Sequence, residues 1–124
     1  MAEASLGKVT DVDIDAGTFK YVLIKVCHSP PAPAPETTKY IARGYTSAEY
    51  HSDVYDRVTP NIEALGLDCE CVGGGRICHQ PEEKSIKVYG YSQGYGKADH
   101  SITVGLLKKK YPDYTSITFS NDGY

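Results

Sequence analysis

The side chains best suited to chemistry on an anion in this sequence are one histidine, one lysine and two arginines. His51 lies in the stretch AEYHSDVYD, directly before a predicted helix. Unpaired amides and the helix dipole attract anions to a helix N-terminus, so an imidazole there can act on a bound oxyanion. Lys20, Arg43 and Arg76 lie on predicted strands and could supply positive charge. Because lone basic residues on strands are usually solvated, their convergence on one pocket is a hypothesis.

Two glycine-containing segments, VGGGRI and GYSQGYG, could add backbone amides to such a pocket. Glycine permits positive φ and lets successive amides turn inward as an anion nest. Neither segment ends as a P-loop does, and neither matches a dinucleotide fingerprint. Arg76 follows Cys71, but Cys71 is predicted within a strand and the cradle of a cysteine-dependent phosphatase is missing. Mononucleotide hydrolysis and cysteine-based phosphatase chemistry are therefore not indicated.

Three cysteines and a histidine raise the alternative of a zinc site. Cys69 and Cys71 are separated by one residue on a predicted strand, and Cys78 and His79 follow after the glycines. Paired zinc cysteines usually have two to four residues between them, so this spacing is a poor match. Free cysteine is also a common small core residue, which is the favoured interpretation. We expect no metal, with zinc as a minor alternative.

Tyrosine is unusually frequent, with eleven residues and no tryptophan. Its ring is apolar and its hydroxyl is polar, and it is also a common strand residue. The composition therefore suggests amphipathic aromatic surface around a polar cleft.

The elements that must position these side chains are mainly strands. Runs of β-branched and aromatic residues predict strands at 18–27, 39–45 and 84–92, a last strand in TSITFS and an edge strand in VTDVDID. The stretch 67–80, LDCECVGGGRICHQ, is interpreted as a hairpin with a triple-glycine turn. The proline-rich stretch 28–38 cannot form a strand ladder and is predicted to be a surface connection.

A first helix is predicted after residue 51 from apolar residues at three- and four-residue intervals. They are Val54, Val58, Ile62 and Leu65. Ser52 or Asp53 can cap its N-terminus, and Gly66 is a natural C-terminal stop. Pro60 lies inside the pattern, so we expect a kink or break near Thr59.

A second helix is predicted to start near Asp99 or Ser101, either of which can cap it. Its apolar residues Ile102, Leu106 and Leu107 are expected to face the core. A mixed β-sheet of about six strands with one helix on each face would bury both apolar stripes. The predicted fold class is therefore α/β, of α+β type, in a single domain.

Composition limits the class of protein. The 124 residues suit one domain, 1–124, and 40% hydrophobic with 23% charged residues are ordinary globular values. A net charge of -3 argues against a nucleic-acid binder, and no apolar run is long enough to cross a membrane. MAEASLGKVT lacks the regions of a signal peptide, so we expect a cytoplasmic protein, able to act as a monomer, with reduced cysteines.

Several long motifs resemble those of one known family. They are DVDID, FKYVLIKV, RGY with AEYHSDVYD, DCECVGGGRICHQ, VYGYSQGYG, KYPDY and the closing NDGY. In this order and over nearly the whole chain, they resemble the eukaryotic protein-histidine phosphatase (janus) family. The resemblance implies a mixed sheet flanked by two helices, and a metal-independent, cofactor-free phosphatase. Its substrates would be phosphohistidine-containing proteins or peptides, and inorganic phosphate its product.

The resemblance also implies roles for particular residues. The catalytic histidine of the family falls on His51. The remaining family positions handle the phosphate, either through basic side chains or through a loop and backbone amides. They fall on Lys20, Arg43 and Arg76, on Ser92, Gln93 and Gly94, and on the amides of Tyr50 and His51.

Two differences from the family pattern lie near these positions. Gly94 stands where relatives have alanine, a change that preserves the backbone amide. The stretch YTSAEY stands where relatives have a lysine-tryptophan pair, which could alter substrate or partner preference. His51 could act as a general base on water or attack phosphorus itself. A non-catalytic phosphate-recognition module using the same pocket is the alternative class.

Overall fold

The computed structural model describes residues 9–28, 37–92 and 94–120. Two α-helices, α1 (His51–Glu63) and α2 (His100–Lys110), and a short 3-10 helix (Pro81–Glu83) accompany six strands. The strands are β1 (Val12–Ile14), β2 (Gly17–His28), β3 (Thr37–Gly44), β4 (Asp68–Gln80), β5 (Ser85–Tyr89) and β6 (Ser116–Phe119).

All six strands form one mixed sheet in the order β1-β3-β2-β4-β5-β6. The four central strands pair with one another antiparallel, whereas β1 pairs with β3 and β6 pairs with β5 in parallel at the two edges. The strands predicted at 18–27, 39–45 and 84–92 are confirmed as β2, β3 and β5, within one to three residues at their ends. The predicted edge strand and the last strand are confirmed as β1 and β6.

The sheet is covered on both faces because successive side chains of a strand point to opposite sides. Val22 and Ile24 of β2 pack in a cluster with Val54 of α1. Tyr21 and Leu23 pack in a second cluster that contains Leu107 of α2. The predicted fold class, a mixed sheet with one helix on each face, is therefore confirmed.

The predicted hairpin within residues 67–80 is wrong. The glycine triplet 73–75 lies in the middle of β4, which continues as one strand from Asp68 to Gln80. A Cβ atom on Gly74 would lie 2.7 Å from Cδ2 of His51, and one on Gly75 would lie 2.8 Å from Cε1 of His100. Glycine is therefore needed here because side chains from both faces of the sheet approach the strand closely, not because the chain turns.

Helix α1 differs from prediction at its start and at its proline. Its N-cap is Tyr50, not Ser52 or Asp53, although the Asp53 carboxylate accepts a hydrogen bond from the Tyr50 amide (2.8 Å). The predicted interruption near Thr59 is wrong as a break, because the helix runs through Pro60 to Glu63. Pro60 is exposed and lies in the last turn of α1, so the backbone hydrogen bond that proline cannot donate is lost near the helix end and not in its middle.

Helix α2 begins as predicted, with the Asp99 carboxylate accepting from the Ser101 amide (3.1 Å). Its buried face only partly matches the prediction. Leu107 is fully buried, whereas Ile102 and Leu106 are half-buried. His100 and Thr103 take buried positions because Tyr21 offers them hydrogen-bond partners inside the core.

Some predicted features lie outside the described residues, namely most of the proline-rich connection (29–36), Gln93 and the closing NDGY. The described α-helices have 13 and 11 residues. Neither is long and apolar enough to cross a membrane.

Candidate active site

A cavity of about 710 Å³ opens at the N-terminal end of α1. Its wall is built by the start of α1, by β2 and β4, and by the segment that follows β5. The lining residues are Lys20, Tyr50, His51, Ser52, Arg76, Tyr91, Ser92, Gly94 and Tyr95. The structure thus brings together six of the predicted site residues: His51, Lys20, Tyr50, Arg76, Ser92 and Gly94.

His51 is the first residue of α1, and its ring is held against β4. Its Nε2 lies 2.9 Å from the carbonyl oxygen of Gly75. Since a carbonyl can only accept, Nε2 carries the proton and donates it, which leaves the lone pair of the neutral ring on Nδ1. The absence of a side chain on Gly74 leaves room for the ring to lie this close to the strand. The strand therefore selects one tautomer of His51 and makes Nδ1 its basic nitrogen.

The surroundings of His51 also favour the neutral ring. Burial is the main cause that lowers the pKa of His51 below its ordinary 6.5, and the charges of Lys20 and Arg76 lower it further. The hydrogen bond to Gly75 acts in the opposite direction without reversing the shift. The imidazole is therefore an unprotonated base at neutral pH.

Two cations lie side by side in the lining of the cavity. Lys20 of β2 and Arg76 of β4 are direct partners in the antiparallel register, so their side chains leave the same face of the sheet. Lys20 Nζ donates to the Glu49 carbonyl (2.8 Å), which holds the ammonium next to the start of α1. Like charges directly opposite each other are unfavourable, and an anion placed between them would relieve the repulsion.

The amides at the start of α1 divide into two kinds. The Tyr50 amide donates to the Asp53 carboxylate, so this donor already has an acceptor, and its contact with phosphate stays a prediction. The amides of His51 and Ser52 occupy the first two helical positions, which have no intrahelical acceptor. These two amides, at the positive end of the helix dipole, are the ones suited to an oxyanion.

The segment after β5 forms the opposite wall. Ser92 is buried, exchanges backbone hydrogen bonds with Gly96 (3.1 and 2.8 Å), and accepts the Tyr95 amide on its hydroxyl oxygen (3.1 Å). The Ser92 hydroxyl proton is left to donate toward the cavity, whereas the Ser92 amide is used within the turn. Gly94 lines the cavity with open space beside it. The structure does not describe Gln93.

Arg43 does not join this cavity. It donates to the carbonyls of Ala42 (2.9 Å) and Thr10 (2.7 Å) and lines a second cavity of about 340 Å³. Arg43 lies on β3, which is separated from β4 by β2. The prediction that Arg43 shares one pocket with Lys20 and Arg76 is therefore wrong.

The zinc alternative finds no support in the described residues. None of them form a group of three or more histidine, cysteine or acidic side chains that could hold a metal ion. His79 uses both ring nitrogens, Nδ1 with the Asp15 carbonyl (2.9 Å) and Nε2 with the Tyr114 hydroxyl (2.7 Å). Cys69 and Cys71 pack against the core cluster beneath α1. This placement agrees with the core interpretation of those two cysteines.

Three lining residues were missed individually by the motifs: Ser52, Tyr91 and Tyr95. The high tyrosine content suggested an aromatic surface around a polar cleft, but it did not say which tyrosines form it. Their position next to glycines in GYSQGYG is the one local signal that could have singled out Tyr91 and Tyr95.

The fold and the site together define a small α+β domain with a cationic cavity. The cavity holds a neutral histidine, two basic side chains and helix-start amides, which is the equipment of a protein that handles an oxyanion.

Comparison with known proteins places the chain more narrowly. A family model described as the Janus/Ocnus family matches residues 6–115, so the chain belongs to this family, as its motifs predicted. It is 56% identical over 128 residues to the 14 kDa phosphohistidine phosphatase of Homo sapiens, covering 100% of both chains. It is 54% identical over 125 residues to the 14 kDa phosphohistidine phosphatase of Sus scrofa, covering 99% of this chain and 98% of that one.

The family also includes proteins with a different kind of name. The chain is 48% identical over 125 residues to the sex-regulated protein janus-A of Drosophila pseudoobscura pseudoobscura. That match covers 100% of this chain and 83% of the relative. The similarity therefore extends over the full length of relatives named as phosphatases and over most of this relative.

Proposed function

We propose that this protein is a protein-histidine phosphatase, which hydrolyses the P–N bond of phosphohistidine in proteins or peptides and releases inorganic phosphate. Full-length relatives at 54% and 56% identity carry this activity in their names, which supports the proposal. The observation that carries it is the hydrogen bond from His51 Nε2 to the Gly75 carbonyl. This bond leaves Nδ1 as the basic nitrogen of a ring that lies in the same cavity as Lys20 and Arg76.

In this proposal the phosphoryl group binds at the floor of the cavity. Lys20 and Arg76 neutralise its charge, and the amides of His51 and Ser52 donate to its oxygens. The Ser92 hydroxyl and the backbone at Gly94 contact it from the opposite wall. Donors that are in place before the reaction stabilise the charge of the transition state without reorganisation. Arg43 is left out of the phosphate contacts.

The chemical step uses the lone pair on Nδ1 of His51. As a general base, Nδ1 takes a proton from water while the water oxygen attacks phosphorus. The P–N bond breaks, and its electron pair goes to the leaving nitrogen of the substrate imidazole. That nitrogen takes a proton from solvent, and His51 Nδ1 returns its proton to solvent. A positioned base contributes typically ~10²–10⁴-fold to such a step.

The deciding experiment compares wild type with His51→Ala on a phosphohistidine peptide. We expect turnover to fall by at least about 10²-fold, because the proton acceptor is lost. Binding of the peptide should be retained, since Lys20 and Arg76 remain, and a circular dichroism spectrum controls for folding. Full turnover by His51→Ala would contradict the role of His51. Binding by wild type without any turnover would instead support the phosphate-recognition module.

The general-base route and a covalent route differ in whether phosphate ever sits on the enzyme. In the covalent route Nδ1 attacks phosphorus, the P–N bond of the substrate breaks, and water then hydrolyses the phosphorylated His51. Rapid quenching at alkaline pH during turnover, followed by mass spectrometry, separates the two. An acid-labile phosphate on wild type that is missing from His51→Ala shows the covalent route, and its absence at turnover supports the general base.

A further inference from the structure

The cavity is rimmed by tyrosine rings that the phosphate chemistry does not use. Tyr50, Tyr91 and Tyr95 all line it, and we call these three residues the aromatic rim. Tyr50 is 59% exposed and Tyr91 is 41% exposed. Among the described residues, the only other large hydrophobic side chain so exposed is Phe119, also at 41%. Exposed aromatic rings at the mouth of a polar cavity are typical of ligand contact.

Two rings of the aromatic rim, those of Tyr50 and Tyr95, contact neighbouring residues that restrict their positions. The Lys20 ammonium lies 5.5 Å from the centroid of the Tyr50 ring, within the range of a cation–π contact. Tyr95 meets Tyr55 of α1 edge-on, with ring centroids 5.9 Å apart. Tyr55 is itself held by a hydrogen bond to the Cys69 carbonyl (3.1 Å). The rings of Tyr50 and Tyr95 are therefore positioned before any ligand binds.

The size of the cavity shows that a phosphoryl group would not fill it. Its volume of about 710 Å³ lies in the range of pockets that hold whole drug-sized ligands. In-line displacement places the attacking and leaving atoms on opposite sides of phosphorus. With His51, Lys20 and Arg76 around the phosphoryl group, the leaving group must extend toward the mouth, where the rim lies.

We propose that the aromatic rim, through Tyr50 and Tyr91, binds the imidazole ring of phosphohistidine, so that it selects an aromatic leaving group. The inference rests on the proposed function and extends it from the phosphoryl group to the group that leaves. Stacking of a planar imidazole on a tyrosine ring is favourable and needs no charge on either partner. The rim thereby separates phosphohistidine from phosphoramidates that have no ring.

The test compares two substrates, a phosphohistidine peptide and phosphoramidate itself, which has an amino group in place of the imidazole. In Tyr50→Leu and Tyr91→Leu we expect kcat/KM for the peptide to fall about three- to tenfold, the range of one aromatic contact. In Tyr91→Leu the kcat/KM for phosphoramidate should stay within about twofold. Tyr50→Leu is compared on the peptide alone, because its ring also contacts the Lys20 ammonium. Tyr50→Phe should restore the peptide value because it keeps the ring. Phe119→Leu is the matched control, since Phe119 is as exposed as Tyr91 but lies away from the cavity.

A binding measurement makes the result independent of turnover. Calorimetry of a hydrolysis-resistant phosphoryl-triazole analogue should show weaker binding to Tyr91→Leu than to wild type, with inorganic phosphate binding unchanged. Equal losses for both ligands, or for both substrates, would overturn the rim as an imidazole site, as would no loss at all. Tight analogue binding by a wild type without hydrolysis would overturn the proposed function and leave the rim supported.

Discussion

At the scale of single residues, the site depends on one hydrogen bond, which fixes the tautomer of the histidine ring. The Gly75 carbonyl takes the Nε2 proton of His51, and burial keeps the ring neutral. Both effects prepare Nδ1 as a base before substrate binds. The chemistry proposed for His51 therefore follows from its contacts on β4 as much as from its place at the start of a helix.

The pH dependence of the reaction follows from the lowered pKa of His51. The base must be neutral, so kcat/KM should be full above this pKa and fall as the pH drops through it. Because the pKa lies below 6.5, the acidic limb of kcat/KM should have its midpoint below 6.5. A pH profile corrected for spontaneous hydrolysis of the substrate checks this. A midpoint at or above 6.5 would contradict the neutral-ring interpretation.

Two glycines, Gly74 beside the His51 ring and Gly94 in the cavity lining, should respond differently to alanine. In Gly74→Ala the new methyl would lie 2.7 Å from His51 Cδ2 and 2.8 Å from the Tyr21 carbonyl oxygen. Overpacking of this kind costs about 1–3 kcal/mol and displaces the ring, so both stability and kcat should fall. Gly94→Ala meets open space and should change the free energy of unfolding by less than about 0.5 kcal/mol. Urea unfolding and peptide turnover measure both. A harmless Gly74→Ala would contradict the close approach.

At the scale of elements, the start of α1 contributes both to the stability of the helix and to the proposed phosphate site. Asp53 stabilises the first turn through the Tyr50 amide, while the next two amides occupy helical positions without an intrahelical acceptor. Its carboxylate also lies at the positive end of the helix dipole, where negative charge is favourable. The helix start is thus stabilised by a residue that does not line the cavity.

Removing this contact should destabilise the protein without removing a catalytic group. Asp53→Ala loses the hydrogen bond to Tyr50 and should lower the free energy of unfolding by about 0.5–2 kcal/mol. Asp56→Ala is the matched control, because Asp56 is exposed on the same helix without that bond. Urea denaturation of both variants gives the comparison. Equal losses would show that the Asp53 contact has no special role.

At the scale of the whole molecule, one helix covers each face of the sheet. The two cations of the cavity come from one pair of neighbouring strands, β2 and β4. The register places Lys20 directly opposite Arg76, an arrangement that favours a bound anion over the empty site. Stability of the whole domain should therefore depend on phosphate.

Phosphate should raise the melting temperature of wild type much more than that of Lys20→Met. A ligand at 100 times its Kd stabilises the folded state by about 2.7 kcal/mol, and removal of one cation weakens the binding that provides it. Lys87→Met, which changes an exposed lysine of β5 away from the cavity, should keep the full shift. Differential scanning calorimetry with and without phosphate measures this. Equal shifts for wild type and Lys20→Met would contradict the assignment of Lys20.

Much of this architecture could be predicted because local patterns carry it. The β-branched runs of β2 and β3 and the stripe of α1 have a fixed period, and a period decides which face is buried. The family motifs directed attention to His51, Lys20 and Arg76, which the structure does bring to one cavity. The assignment of phosphate contacts to these residues stays a prediction.

The sequence by itself determined the strands other than β4, the two helices and the family, since these depend on residue types in local order. Only the tertiary structure decided that the glycines 73–75 lie within a strand, that Arg43 lies apart, and that the Tyr50 amide is already bonded. Only it showed that His51 keeps its lone pair on Nδ1. The physical reason is that each of these outcomes depends on contacts with residues distant in the chain, or on which of several possible partners a hydrogen-bonding group takes.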